Sequence, residues 1–146
     1  MFRKTMLTVA LWLPCAPALA VESIDWHHNL DAAWQTTRSQ ERPLLLFITS
    51  DDCRYCVLMK DDSWQNAHVA AHVNDQFVAV QVDSEMNRRL MQVLNVQILP
   101  TTLIISPDRR VLERFSGYVA PQQLLKRLEQ LAAEQQGQFT QPTGTR

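Results

Sequence analysis

Two strand-length segments composed mainly of apolar residues constrain the fold of this chain more than any other feature of its sequence. The first covers residues 44–48 (Leu-Leu-Leu-Phe-Ile), and the second covers residues 77–82 (Phe-Val-Ala-Val-Gln-Val). Each has the length of a strand and lacks the polar alternation of a half-exposed strand, which is typical of strands buried on both faces. Because a helical segment separates them, we expect parallel strands joined by a right-handed crossover.

The remaining segments supply helices for both faces of such a sheet and a hairpin for one edge. Strands are expected at residues 102–105 and 111–115, around a turn at Pro107-Asp108. Apolar spacing and capping residues predict helices at residues 29–40, from about 53, at 86–94 and from 121. Asp83 and Ser84 are expected to cap the third of these helices. The predicted fold is a three-layer α/β domain whose mixed central sheet has parallel strands, a C-terminal antiparallel hairpin and helices on both faces.

The N-terminal residues have the pattern of a signal peptide. Arg3 and Lys4 precede an uncharged apolar run, and Ala18-Leu19-Ala20 has the small residues of a cleavage site. The run is much shorter than the ~20 residues of a membrane-spanning helix, so a membrane anchor is the less favoured alternative. A lipoprotein at Cys15 is disfavoured by Pro14. We therefore expect a signal peptide at residues 1–20, one domain at 21–135 and a disordered tail at 136–146.

Charge and cysteine content limit the function further. The chain has 14 Lys and Arg residues against 15 Asp and Glu, so nothing marks a nucleic-acid partner. Once the signal peptide is removed, Cys53 and Cys56 are the only cysteines. In an exported protein, a single close pair of this kind is either oxidised or kept reduced by a partner.

The Cys53-Arg54-Tyr55-Cys56 motif lies where a buried strand turns into a helix. Backbone N–H groups at a helix start favour a thiolate, so Cys53 would attack and Cys56 would resolve the mixed disulfide. A static disulfide and one half of a zinc site are the alternatives. Zinc prefers four ligands, commonly two such pairs, and no second pair is present. The context favours a redox-active pair.

The segment from Pro43 to Leu131 resembles the thioredoxin superfamily, and within it the small exported thioredoxin-like proteins. The resemblance rests on the cysteine motif after the first strand, on Leu99-Pro100-Thr101 before a later strand and on Gly117 after the last. It implies a thioredoxin-like fold with a cis peptide bond before Pro100, which would lie opposite the cysteines. The substrate groove that it implies would be formed by Leu99, Pro100, Arg54 and Tyr55.

Two departures from the thioredoxin pattern concern the redox site itself. The tryptophan that usually precedes the first cysteine is replaced by Asp52. Thioredoxins carry a buried aspartate six positions before that cysteine as a proton relay, and Phe47 stands there. Deprotonation of Cys56 would then need water or another carboxylate, and Asp51 and Asp52 are the nearest in sequence.

We interpret the chain as an exported, periplasmic thiol–disulfide oxidoreductase. It would exchange the Cys53–Cys56 disulfide with protein substrates, with the reducing direction preferred, and would need no cofactor and no metal. As a reductant it would need an electron donor, for which the resemblance implies a membrane thiol transporter of the Dsb type. We expect a monomer.

Two other functions remain open from the sequence. One is a copper-binding thioredoxin-like module that uses Cys53 and Cys56 with Met59 or His68, since thiolates and thioethers select Cu(I). The other is a chaperone-like domain in which the disulfide only staples the helix start. Against a metal site, Met59 is better interpreted as a core residue, and His68 and His72 as a polar or half-buried pair.

Overall fold

The computed structural model describes residues 23–139, with side chains to residue 135. The elements in chain order are α1 (Leu30–Gln40), β1 (Leu44–Thr49), α2 (Arg54–Leu58), a π-helical turn (Met59–Ser63), α3 (Ala67–Gln76), β2 (Val78–Asp83), α4 (Arg88–Val93), β3 (Thr101–Ile105), β4 (Val111–Ser116) and α5 (Pro121–Phe139). The predicted signal peptide lies outside the described residues, as do residues 140–146 of the predicted tail. Helix α5 continues to Phe139, past the position 135 where we expected the domain to end. Between residues 23 and 139, no helix is long and apolar enough to cross a membrane.

The four strands form one mixed sheet in the order β2-β1-β3-β4. Strands β1 and β2 are parallel, with Leu44 opposite Val78, as expected for strands joined by a helical crossover. Strand β3 is antiparallel to β1 and β4 is antiparallel to β3, so the hairpin extends one edge of the sheet. At the other edge His27 forms an isolated parallel bridge with Val80. The predicted fold class is confirmed.

Strand β1 is buried along its whole length because helices cover both faces of the sheet. Alternate side chains point to opposite faces. Leu45 and Phe47 belong to a cluster with apolar residues of the π turn, α3 and α5. Leu44, Leu46 and Ile48 belong to a second cluster with α1 and α4. The absence of polar alternation in the sequence of β1 thus reflects two apolar layers.

The crossover between β1 and β2 is more divided than the sequence predicted. In place of one helix from about residue 53, it contains α2, the π turn and α3. A new start at α3 is possible because Asn66 accepts hydrogen bonds from the backbone N–H groups of His68 and Val69.

The predicted capping role of Asp83 is wrong. Its carboxylate accepts hydrogen bonds from the backbone N–H groups of Glu85 and Met86 at 2.8 and 3.0 Å. These residues form a turn, and α4 begins only at Arg88. Asp83 therefore stabilises the exit from β2, since short-range bonds of an aspartate to the backbone two or three residues on favour turns as well as helix starts.

Candidate active site

Three loops meet at one end of the strands: those that follow β1 and β2 and the one that precedes β3. Strands β1 and β2 are parallel, so both finish at this end of the sheet. The backbone N–H of Ser84 donates there to the carbonyl of Thr49 at 2.9 Å. Strand β3 runs the opposite way and begins there, because Thr101 is paired with Ile48. Pro100 and the loop that carries Cys53 are therefore neighbours across the β1–β3 pair, although 47 positions separate them in sequence.

Cys53 and Cys56 form a disulfide, with their Cα atoms 5.2 Å apart. Cys53 is the N-cap of α2 and is partly exposed, whereas Cys56 lies inside the first turn and is completely buried. The backbone N–H of Cys56 donates to the sulfur of Cys53 at 3.2 Å. A donor at that position favours negative charge on the Cys53 sulfur, so Cys53 is suited to attack and Cys56 to resolve.

The Leu99–Pro100 peptide bond is cis, which confirms the expectation from the thioredoxin resemblance. Pro100 is buried, and its carbonyl accepts a hydrogen bond from the backbone N–H of Gly117 at 2.7 Å. Gly117 has a φ of +85°, a conformation that residues with a side chain rarely adopt. Gly117, which the resemblance placed after the last strand, therefore donates directly to the loop of residues 98–100 that ends at Pro100, here called the proline loop.

The other residues assigned to a substrate groove differ in exposure. Arg54 and Tyr55 lie in the first turn of α2 beside the disulfide, and both are exposed. Leu99 is half-buried and packs against the core cluster on the α1 and α4 face. Contact of these side chains with a substrate stays a prediction.

The position of the thioredoxin proton relay is fully apolar here. Phe47 is completely buried, and its ring lies 5.9 Å from that of Trp26 and 5.4 Å from that of Trp64. The two indole rings are 5.5 Å apart and nearly perpendicular. Trp64 thus belongs to the core.

The two aspartates nearest to Cys56 in sequence lie on the surface. Asp51 and Asp52 are both exposed, and a carboxylate oxygen of Asp51 lies 3.8 Å from the ammonium of Lys60. Because both carboxylates are exposed, neither takes the place of the buried aspartate that thioredoxins have.

The residues of the copper alternative differ in their surroundings. Met59 is completely buried in the cluster that contains Phe47, which confirms its interpretation as a core residue. His68 is exposed, and the half-buried ring of His72 lies 6.0 Å from that of Phe77. In the part of the chain that the structure describes, no three His, Cys, Asp or Glu side chains are grouped to hold a metal ion.

Two hydrogen bonds that follow the cysteine motif could not be predicted from the sequence. The hydroxyl of Tyr118 donates to the carboxylate of Asp62, and that of Ser63 donates to the carbonyl of Val119 at 2.6 Å. Neither pair belongs to a motif, and 56 positions separate the partners of each bond. Only the tertiary structure brings these residues together.

Comparison with known proteins gives a consistent result. The family model of a thioredoxin-like domain matches residues 30–132. An uncharacterised protein of Caenorhabditis elegans is 34% identical over 62 residues, and human spermatogenesis-associated protein 20 is 29% identical over 66 residues. These stretches are 42% and 45% of this chain, but the chain spans only 8% of the length of either relative.

Solved structures resemble the whole fold. The oxidoreductase DsbH has a TM-score of 0.70 at 17% identity, over 88% of this chain and 95% of its own. The reduced C-terminal domain of DsbD from Neisseria meningitidis has a TM-score of 0.61 at 21% identity, over 69% and 92%. A thioredoxin-like domain with a Cys-x-x-Cys disulfide supports thiol–disulfide oxidoreductase chemistry. From its family match, its cis-proline loop and its cysteine pair, the chain belongs to the thioredoxin-like family.

Proposed function

We propose that this protein is an exported thiol–disulfide oxidoreductase that reduces disulfides of other proteins in the periplasm. The observation that carries the proposal is the asymmetry of the cysteine pair. Cys53 is accessible and its sulfur accepts an N–H hydrogen bond, while Cys56 is buried one turn inside.

The reaction follows from that arrangement. The Cys53 thiolate attacks one sulfur of a substrate disulfide, so a mixed disulfide forms and the other substrate sulfur leaves as a thiolate. Cys56 then loses its proton and attacks the Cys53 sulfur, which releases the second substrate thiolate and forms the Cys53–Cys56 disulfide. Two electrons pass to the substrate, and its two thiolates take up the protons that the two cysteines lose.

Export and reduction have separate support. The basic residues, apolar run and Ala18-Leu19-Ala20 at the N-terminus support export by a signal peptide. A reductant in an oxidising compartment must be reduced again by a dithiol donor. The fold similarity to a DsbD domain is compatible with a membrane-bound donor of that type.

The direct test is to trap the mixed disulfide. In a Cys56→Ser variant the Cys53 intermediate cannot be resolved, so we expect covalent complexes with protein substrates that disappear on reduction. The matched Cys53→Ser variant keeps Cys56 of the pair, but Cys56 is buried, so this variant should trap almost nothing. Equal trapping by both variants, or none by Cys56→Ser with its Cys53 reduced and accessible, would contradict the proposal.

The direction of transfer is set by the reduction potential of the couple. A value near roughly −270 mV supports a reductant, and one near roughly −120 mV an oxidant.

The copper-binding alternative is tested by titrating the reduced protein with Cu(I) against a chelator. Binding that is much tighter than micromolar, and is lost in both cysteine variants, would favour it over the redox proposal.

A further inference from the structure

The loop of residues 117–119, between β4 and α5, contacts the π turn that follows α2, the helix of the cysteine motif. The Tyr118 hydroxyl donates to the Asp62 carboxylate, and the carbonyl of Val119 accepts from the buried hydroxyl of Ser63 at 2.6 Å. Asp62 and Ser63 belong to the π turn that continues α2 without a break. The loop thus holds the element that carries Cys53 and Cys56.

The same loop also holds the proline loop. The backbone N–H of Gly117 donates to the carbonyl of Pro100 at 2.7 Å. Next to it, the hydroxyl of Thr101 lies 2.8 Å from that of Ser116 and donates to the carbonyl of Ile98 at 2.6 Å. Residues 117–119 therefore connect the two separate pieces of chain that meet at the disulfide.

We propose that Tyr118 is a positioning residue for protein substrates. Through Asp62 on one side, and through its neighbour Gly117 and Pro100 on the other, it fixes the proline loop relative to Cys53. This inference rests on the proposed oxidoreductase function and identifies a residue outside the cysteine motif on which that function depends.

The expected effect depends on the size of the substrate. A protein substrate extends beyond the sulfur and meets the proline loop and α2 together, so a change in their relative position weakens its reaction. A small disulfide needs only access to the Cys53 sulfur. Loss of the Tyr118 hydroxyl should therefore affect the first reaction and spare the second.

The test compares wild type with a Tyr118→Phe variant, which keeps the ring and removes only the hydroxyl. Insulin is the protein substrate and oxidised glutathione is the small disulfide. We expect kcat/KM for insulin to fall about two- to tenfold, as for one hydrogen bond, and the rate with oxidised glutathione to stay within about twofold. Ser106→Ala, which removes a side-chain hydrogen bond at the opposite end of the β3–β4 hairpin, should alter neither rate.

Two Asp62 variants give a second, independent measurement. Asp62→Asn keeps an oxygen that can accept from the phenol, so it should retain most of the insulin activity, whereas Asp62→Ala should behave like Tyr118→Phe. Equal losses on both substrates in Tyr118→Phe, or no loss on either, would overturn the inference. A wild-type protein that reduces neither substrate would instead overturn the proposed function.

Discussion

At the residue scale, Cys53 and Cys56 differ in surroundings although only two residues separate them. Cys53 caps α2 at the protein surface, while Cys56 is on the inner side of its first turn with no exposed area. In the reduced protein we expect iodoacetamide to alkylate Cys53 and to leave Cys56 unmodified until the protein unfolds. Mass spectrometry of the labelled peptides measures this, and comparable labelling of both thiols in the folded protein would contradict it.

Phe47 occupies the position at which a thioredoxin has its proton relay, and its environment excludes a carboxylate. A Phe47→Asp substitution would place an ionisable group between Trp26 and Trp64. We expect it to destabilise the fold by about 3–5 kcal/mol, since an unpaired buried charge is strongly unfavourable. Phe47→Leu keeps an apolar side chain and should cost only about 1–2 kcal/mol. Urea unfolding measures both, and similar losses would show that size, and not charge, decides.

Tyr118 provides a direct spectroscopic test of its bond to Asp62. The hydrogen bond to the Asp62 carboxylate raises the pKa of Tyr118, because the protonated phenol is the donor. The chain has two tyrosines, so a Tyr55→Phe variant leaves Tyr118 as the only one to titrate. We expect ultraviolet titration of that variant to give a midpoint above 10.0, the ordinary value, and Asp62→Asn to lower it. An unchanged midpoint would mean that the bond does not form in solution.

At the element scale, the turn between β3 and β4 combines hydrogen bonds with an ion pair. The Ser106 hydroxyl donates to the Asp108 carboxylate, which also lies 2.7 Å from the Arg110 guanidinium. Hydrogen bonds from Ser106 and then from Arg110 lower the pKa of Asp108 from its ordinary 3.8. The turn therefore gains stability that is present above pH 3.8 and is lost as the pH falls through the lower folded-state value.

This pH dependence can be measured with an Asp108→Asn variant. Its deficit in unfolding free energy relative to wild type should be present at pH 7 and should shrink below the pKa of Asp108, where the wild-type carboxyl is also uncharged. Because the side chain is fully exposed, we expect the effect to be small and to weaken with added salt. A deficit of the same size at pH 7 and at pH values well below 3.8 would contradict the prediction.

At the scale of the whole molecule, residues before α1 complete the core cluster on the α3 and α5 side. Ile24 is buried in that cluster and Trp26 packs against it. The Asn74 side chain holds this segment, since its amide nitrogen donates to the carbonyl of Ser23 at 2.8 Å and its oxygen accepts from the backbone N–H of Asp25 at 3.0 Å. An edge segment is thus fixed by a side chain of α3.

We expect an Asn74→Ala variant to release this segment and to destabilise the fold by about 1–2 kcal/mol. Hydrogen exchange should accelerate first at the backbone N–H groups of His27 and Gln81, which bond to Ala79 and His27 across the edge bridge. Urea unfolding and exchange followed by mass spectrometry provide the two readouts. Unchanged protection at both amides would show that apolar packing alone holds the segment.

The sequence by itself determined the central strands and the chemistry of the site. Buried strands, a helix start and a cysteine pair each produce local patterns, so β1, β2 and the Cys53–Cys56 disulfide were predicted from nearby residues. The cis bond before Pro100 followed from a motif of the family and was confirmed. The strands and the cysteine motif could be predicted because apolar runs and capping residues are patterns of adjacent residues.

Only the tertiary structure decided how these pieces are held together. The hydrogen bonds of Tyr118 to Asp62 and of Ser63 to Val119 have no local pattern in the sequence. A hydrogen bond between residues 56 positions apart depends on how the helices and strands pack. The sequence does not show which polar side chains are paired in this way. Packing of the sheet between its helical layers brings the proline loop, α2 and residues 117–119 to one end of the strands, and this forms the site.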